Sequence, residues 1–170
     1  MDAVERFAAE ATAYREWASH GTDVGEYAAR NALLRITRLY LTALDLPPAW
    51  SEEGYHLEPE RVGDEECQAV LMACRRLPLD GYSVLFDPLP IPAEEAVVGS
   101  LSDDITDIYR DVVTGLREFE AGRRAVAVWE WVFGLQHHWG SHATSAIRAL
   151  HCWLAANAID RLAADSAHGR

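Results

Sequence analysis

Apolar residues recur every three or four positions along most of this chain, the period of a helix face and not of a strand. Phe7, Ala11, Tyr14 and Ala18 form the first such stripe, with Asp2 placed to cap it and Gly21 to end it in a left-handed turn. Asp23 followed by Glu26 has the form of a capping box and predicts a second helix through Tyr27, Leu34, Leu41 and Leu44, stopped at Pro47-Pro48. Asp64 is placed to cap a third, through Val70, Leu71, Cys74 and Leu77. Ser100 or Ser102 opens the next, whose stripe of Leu101, Ile105, Ile108, Val112, Leu116 and Phe119 runs to Gly122. Val128, Val132, Leu135, Trp139, His142, Ala146, Ala149 and Trp153 then continue one stripe in phase across Gly140. A straight helix over that whole stretch would be about 60 Å long, roughly twice its neighbours, so a kink or break is expected at Gly140-Ser141, with Ser141 as the new cap.

Between these stripes the pattern fails twice. Residues 47 to 63 mix prolines, glycines and acids and read as a long surface loop over one end of the fold. Leu77 to Tyr82 reads as a turn, and Tyr82 to Pro88 as an extended segment with no second strand to pair with it; Pro88, Pro90 and Pro92 keep the chain extended up to Glu94. The fold class that follows is all-α, a single domain over residues 1–170, built as a bundle of five or six helices with two long irregular connections and a disordered tail from about 165. The Ser100 helix and the Trp129-to-Trp153 segment should lie at its centre.

Composition agrees, since Ala and Leu are common, β-branched residues are few, and 170 residues suffice for a full core. Charge removes whole classes of partner. A formal net charge of -12 repels phosphate backbones and anionic lipid headgroups, so nucleic acid is not an expected partner. No apolar run approaches the roughly 20 residues of a membrane span, so no membrane is expected either, and the start Met1-Asp2-Ala3-Val4-Glu5 is unlike a signal peptide. Cys67, Cys74 and Cys152 form an odd set without a C-x-x-C pair and read as reduced, buried core residues of a cytoplasmic protein. Phosphate-binding glycine loops and the G-x-S-x-G elbow are missing, and His151 beside Cys152 points about 100° away from it on a helix, which excludes a nucleophile–base pair.

The candidate chemistry lies in the second half. His138 and His142, four residues apart, share a face in an intact helix, the spacing that lets two imidazoles take one metal ion. Trp139 stands where a metalloprotease helix would carry its glutamate, so that reaction loses its base. Asp104, Asp107 and Asp111 lie along one face of the preceding helix and would converge on the histidines if the two helices are antiparallel neighbours; Glu130 is aimed elsewhere. The candidate pocket is therefore Asp104, Asp107, Trp131, His138, His142 and Arg148, with His138, His142 and Asp104 as the candidate metal ligands. A structural account competes with it. In that account an aspartate hydrogen-bonds His138 or His142 and fixes its tautomer, Trp131 fills core volume, and Arg148 pairs with Asp107 or Asp111.

Ser102-Asp103-Asp104-Ile105-Thr106-Asp107-Ile108-Tyr109-Arg110-Asp111, Trp129-Glu130-Trp131, His138-Trp139-Gly140-Ser141-His142 and Ile147-Arg148-Ala149-Leu150-His151 together resemble a bacterial family, the domain-of-unknown-function family 5063. The resemblance spans most of the chain, Phe86-Asp87-Pro88 included, and implies a compact bacterial cytosolic domain without bringing an activity or a cofactor. The reading that results is a non-enzymatic helical interaction or structural domain, with a homodimer or another protein as partner and no cofactor implied. The alternative is a metal- or small-molecule-binding helical bundle using the Asp/His cluster, with hydrolysis as the chemistry it would serve.

Overall fold

The structure, a computed structural model, describes residues 1–20, 25–48 and 59–168, the last ten of these as helical backbone alone. Its helices are α1 (Ala3–Ser19), α2 (Gly25–Ala43), α3 (Asp64–Cys74), α4 (Leu101–Glu120), α5 (Arg124–His137) and α6 (Trp139–His168). A two-stranded antiparallel sheet, β1 (Gly81–Val84) with β2 (Val97–Ser100), stands before α4. The fold is thus all-α apart from one hairpin. No helix among the described residues is long and apolar enough to cross a membrane.

α4 is the central element. Of its 20 residues 13 are buried, and it packs against α1, α3, α5 and α6, while α2 covers α1 and α6 on the far side. The stripe Leu101, Ile105, Ile108, Val112, Leu116 is fully enclosed, as the sequence predicts. Phe7 of α1 lies edge-on to Trp131 of α5 at 4.7 Å and reaches Trp139 of α6 at 6.2 Å, joining three helices through aromatic contact. Capping fixes where the helices begin. Asp2 and Glu5 form a reciprocal capping box at α1, and Ser100 accepts from the Asp103 backbone at α4.

The structure departs from the sequence pattern in five places. Tyr82 to Val84 is not isolated coil: Gly81 pairs with Ser100 and Val84 with Val97, so the missing partner strand lies just before the α4 cap. On α2 the large apolar residues Tyr27, Leu34 and Leu41 are exposed, as is Leu44 just beyond it, and the buried face is Ala28, Ala29, Ala32, Ile36, Leu39 and Ala43, where the alanines let α2 approach its neighbours closely. Asp64 is the first residue of α3 and Gly63 its cap. The long C-terminal stripe breaks at His138, with φ -148 and ψ -85, and not at Gly140. Cys67 and Cys74 are buried free thiols, whereas Cys152 is exposed. α6 continues past 165 to His168; the proposed Gly21 turn, the Asp23 cap and residues 49–58 of the long loop lie outside the described residues.

Gly115 shows how tightly α4 and α5 meet. A Cβ there would stand 2.4 Å from Trp131 Nε1, and that indole N–H donates to the Val112 carbonyl at 3.0 Å. Gly115→Ala gains about 1 kcal/mol of helix propensity but over-packs a buried ring, which typically costs 1–3 kcal/mol and here also strains a buried hydrogen bond. The expected outcome is a net loss of roughly 1–2 kcal/mol, read from the urea midpoint. A variant at least as stable as the parent would show that the two helices can separate freely.

Candidate metal centre

Three aspartates on α4 meet two histidines at the α5–α6 junction. Asp104 Oδ1 is 2.8 Å from His142 Nδ1, and Asp111 Oδ2 is 2.8 Å from His138 Nδ1. The later aspartate takes the earlier histidine, so α4 runs antiparallel to this stretch, as the sequence reading required. Asp107 lies between them, its Oδ2 3.7 Å from His142 Nε2 and its Oδ1 accepting from Arg110 at 3.0 Å.

The break at His138 is what presents both rings. Trp139 swings into the core and its indole N–H donates to the Trp131 carbonyl at 3.1 Å, tying the start of α6 to the body of α5. Ser141 donates twice to the His138 carbonyl, from its N–H at 3.1 Å and its hydroxyl at 2.8 Å, closing the first turn of α6. Gly140 is required here: a Cβ would lie 2.0 Å from the Leu135 carbonyl oxygen, so only glycine lets α6 begin against the last turn of α5. The outcome is that His138, at the break, and His142, in the first turn of α6, keep their ring centroids 4.9 Å apart at 70°.

A carboxylate only accepts hydrogen bonds, so each Nδ1 carries a proton, and in the neutral form of either ring the lone pair is left on Nε2. Asp104 is nearly buried and also accepts from the Tyr82 hydroxyl of β1, which burial and then the Asp104 carboxylate push well above its ordinary range, keeping it a donor. Asp104 is thus used up behind His142. Asp107, His138 and His142 each offer one ligand atom, and these atoms lie within 4.8 Å of one another. Ligands at about 2.1 Å in a tetrahedral shell lie about 3.4 Å apart, so gathering them needs movements on the order of 1 Å. His138 and Asp107 are partly exposed and free to make them.

The remaining candidates fall elsewhere. Trp131 is fully buried in the aromatic core, and Arg148 is exposed on α6 and forms no ion pair among the described residues, so the expected bond to Asp107 or Asp111 is not made. Glu130 pairs with Arg61 at 2.8 Å, and burial raises its carboxyl above the ordinary range despite that charge. Tyr82 was not legible as a site residue, because only the β1–β2 pairing brings it over α4.

An all-helical protein with a His–Asp cluster at a helix break is the class these features define. The chain belongs to the family described as Domain of unknown function (DUF5063), whose profile matches residues 1–156. The crystal structure of protein BF1032 from Bacteroides fragilis is similar to it, with a TM-score of 0.71 and 19% identity over 91% of this chain and 96% of that one, a likeness of fold. No curated protein matches the chain.

The His142 imidazolium is stabilised first by its hydrogen bond to Asp104, against the opposing effect of burial, and then by the charges of Asp104, Asp107 and Asp111, so its pKa lies above the usual 6.5. A raised pKa in the folded state stabilises the protein fully below the unfolded value near 6.5, and that stabilisation is lost as pH rises through the folded value. With a chelator present, Tm should therefore fall from pH 6 upward more steeply in the parent than in His142→Gln. Parallel Tm profiles for the two proteins would remove the Asp104–His142 pair as a source of stability.

Proposed function

We propose that this protein binds a divalent first-row transition metal ion through Asp107, His138 and His142. The observation that carries the reading is the disposition of the rings: both histidines have Nδ1 tied to a dedicated aspartate, and one ligand atom each of Asp107, His138 and His142 lies within 4.8 Å of the others. A carboxylate behind each imidazole is the usual support of metal-binding histidines, because it fixes the tautomer and makes the ligand nitrogen more basic. Two imidazoles and one carboxylate suit zinc or ferrous iron. His138 is half exposed, so a fourth position is open to water, the arrangement of a site that reacts and not of a closed structural one.

The protein works as a cytoplasmic protein, consistent with three free thiols, and its net charge of -12 speaks against nucleic acid as its partner. Purified tag-free protein, stripped and titrated with zinc or ferrous iron, should bind one equivalent. His138→Ala and His142→Ala should abolish uptake, and Asp104→Asn should weaken it by roughly 10–100-fold through loss of support behind His142. Protein that takes up neither metal, with the fold intact by circular dichroism, would leave the cluster as a purely structural network.

A further inference from the structure

Opposite its buried alanine face, α2 presents Tyr27, Leu34 and Leu41 at intervals of seven residues, 69%, 48% and 63% exposed. Residues seven apart on a helix stay almost in line, so these three form a ridge about 21 Å long parallel to the helix axis. Leu44, also exposed, extends its lower end. Such a ridge supplies one of the two heptad positions by which a helix packs against a second helix.

The charge on that face selects the occupant. α2 carries Arg30, Arg35 and Arg38 against a single acid, Glu26, within a chain of net charge -12. Arg30 and Arg38 are exposed, lie on the same side as the ridge by helical phase, and form no ion pair among the described residues. Asp45, the acid that follows on this face, is already paired with Arg6 at 3.5 Å. A second copy fits poorly. Antiparallel pairing about Leu34 sets Tyr27 against Leu41 of the other copy, but it also sets Arg30 against Arg38, and parallel pairing sets each arginine against its own counterpart. Both arrangements bring like charges together beside the seam, which disfavours association.

We propose that the outer face of α2 docks an acidic amphipathic helix of another protein, with leucine-type residues at heptad spacing on the ridge and Asp or Glu flanking them to meet Arg30 and Arg38. About four turns of partner helix cover the distance from Tyr27 to Leu41. The ridge lies on the face of α2 opposite its buried contacts with α1 and α6, so it is tested independently of metal binding.

The probe is a fluorescein-labelled 18-residue designed helix with leucine at the heptad positions and glutamate flanks, beside a control in which every glutamate is lysine. Anisotropy should show saturable binding of the glutamate helix to the full chain and none of the lysine helix. Leu34→Asp should weaken binding at least tenfold, and Arg30→Glu with Arg38→Glu should reverse the preference so that the lysine helix binds. All three substitutions are at exposed positions, and circular dichroism checks the fold. Equal binding of both helices, or of neither, overturns the proposal. So does a dimer in sedimentation that Leu34→Asp dissolves, since the ridge would then belong to a second copy.

Discussion

α4 is enclosed by other helices over most of its surface, so every polar side chain it turns inward must find a partner inside the protein. That requirement shapes its surroundings. Thr106 and Thr114 return their hydroxyls to carbonyls one turn back, Tyr109 donates to Glu66 of α3, and buried Glu118 is held by Arg123 just beyond the helix. Asp104 and Asp111, like Glu118, are partnered from outside their own helix. Their histidine partners come from the place where the α5–α6 line is broken, and Asp104 takes a second partner, Tyr82, from the hairpin.

The break also separates two roles in adjacent residues. His138 turns toward the aspartates while Trp139 turns into the core, where it meets Phe7 and donates to the Trp131 carbonyl. In an unbroken helix these side chains would differ by about 100°, and both could still be accommodated; what continuity could not supply is the His138 carbonyl as an acceptor for both groups of Ser141. Local hydrogen bonding thus stabilises a junction that aromatic packing alone would leave undetermined.

Much of this was legible in advance where one rule dominated. The α4 stripe combined length, a strict period and a cap, and the spacing of Asp104, Asp107, His138 and His142 needed only an antiparallel pair to bring them together. The α2 face was misread because apolar size was taken as the signal for burial, whereas the contact with α1 and α6 is made mostly by alanines, with Ile36 and Leu39, and leaves Tyr27, Leu34 and Leu41 outside. The hairpin escaped notice because each strand has four residues and Val97–Ser100 merges into a helix start. With the hairpin went Tyr82, whose role depends on a pairing that no local pattern announces. Arg148 was assigned a carboxylate on the assumption that a charge near the site must be paired, but it faces solvent, where pairing adds little.

Ser100 belongs to two elements at once, closing the ladder opposite Gly81 and capping α4 through its hydroxyl. Asp80 fastens the same corner by accepting from the Ser102 backbone at 2.9 Å and the Ser100 hydroxyl at 3.2 Å. The hairpin and the first turn of α4 therefore open as one cooperative unit, and an excursion that frees the strands also uncaps the helix and withdraws Tyr82 from Asp104. Slow native-state amide exchange at this corner would mark how often the support behind His142 is lost, making a small surface sheet the timekeeper of the histidine pair at the helix junction.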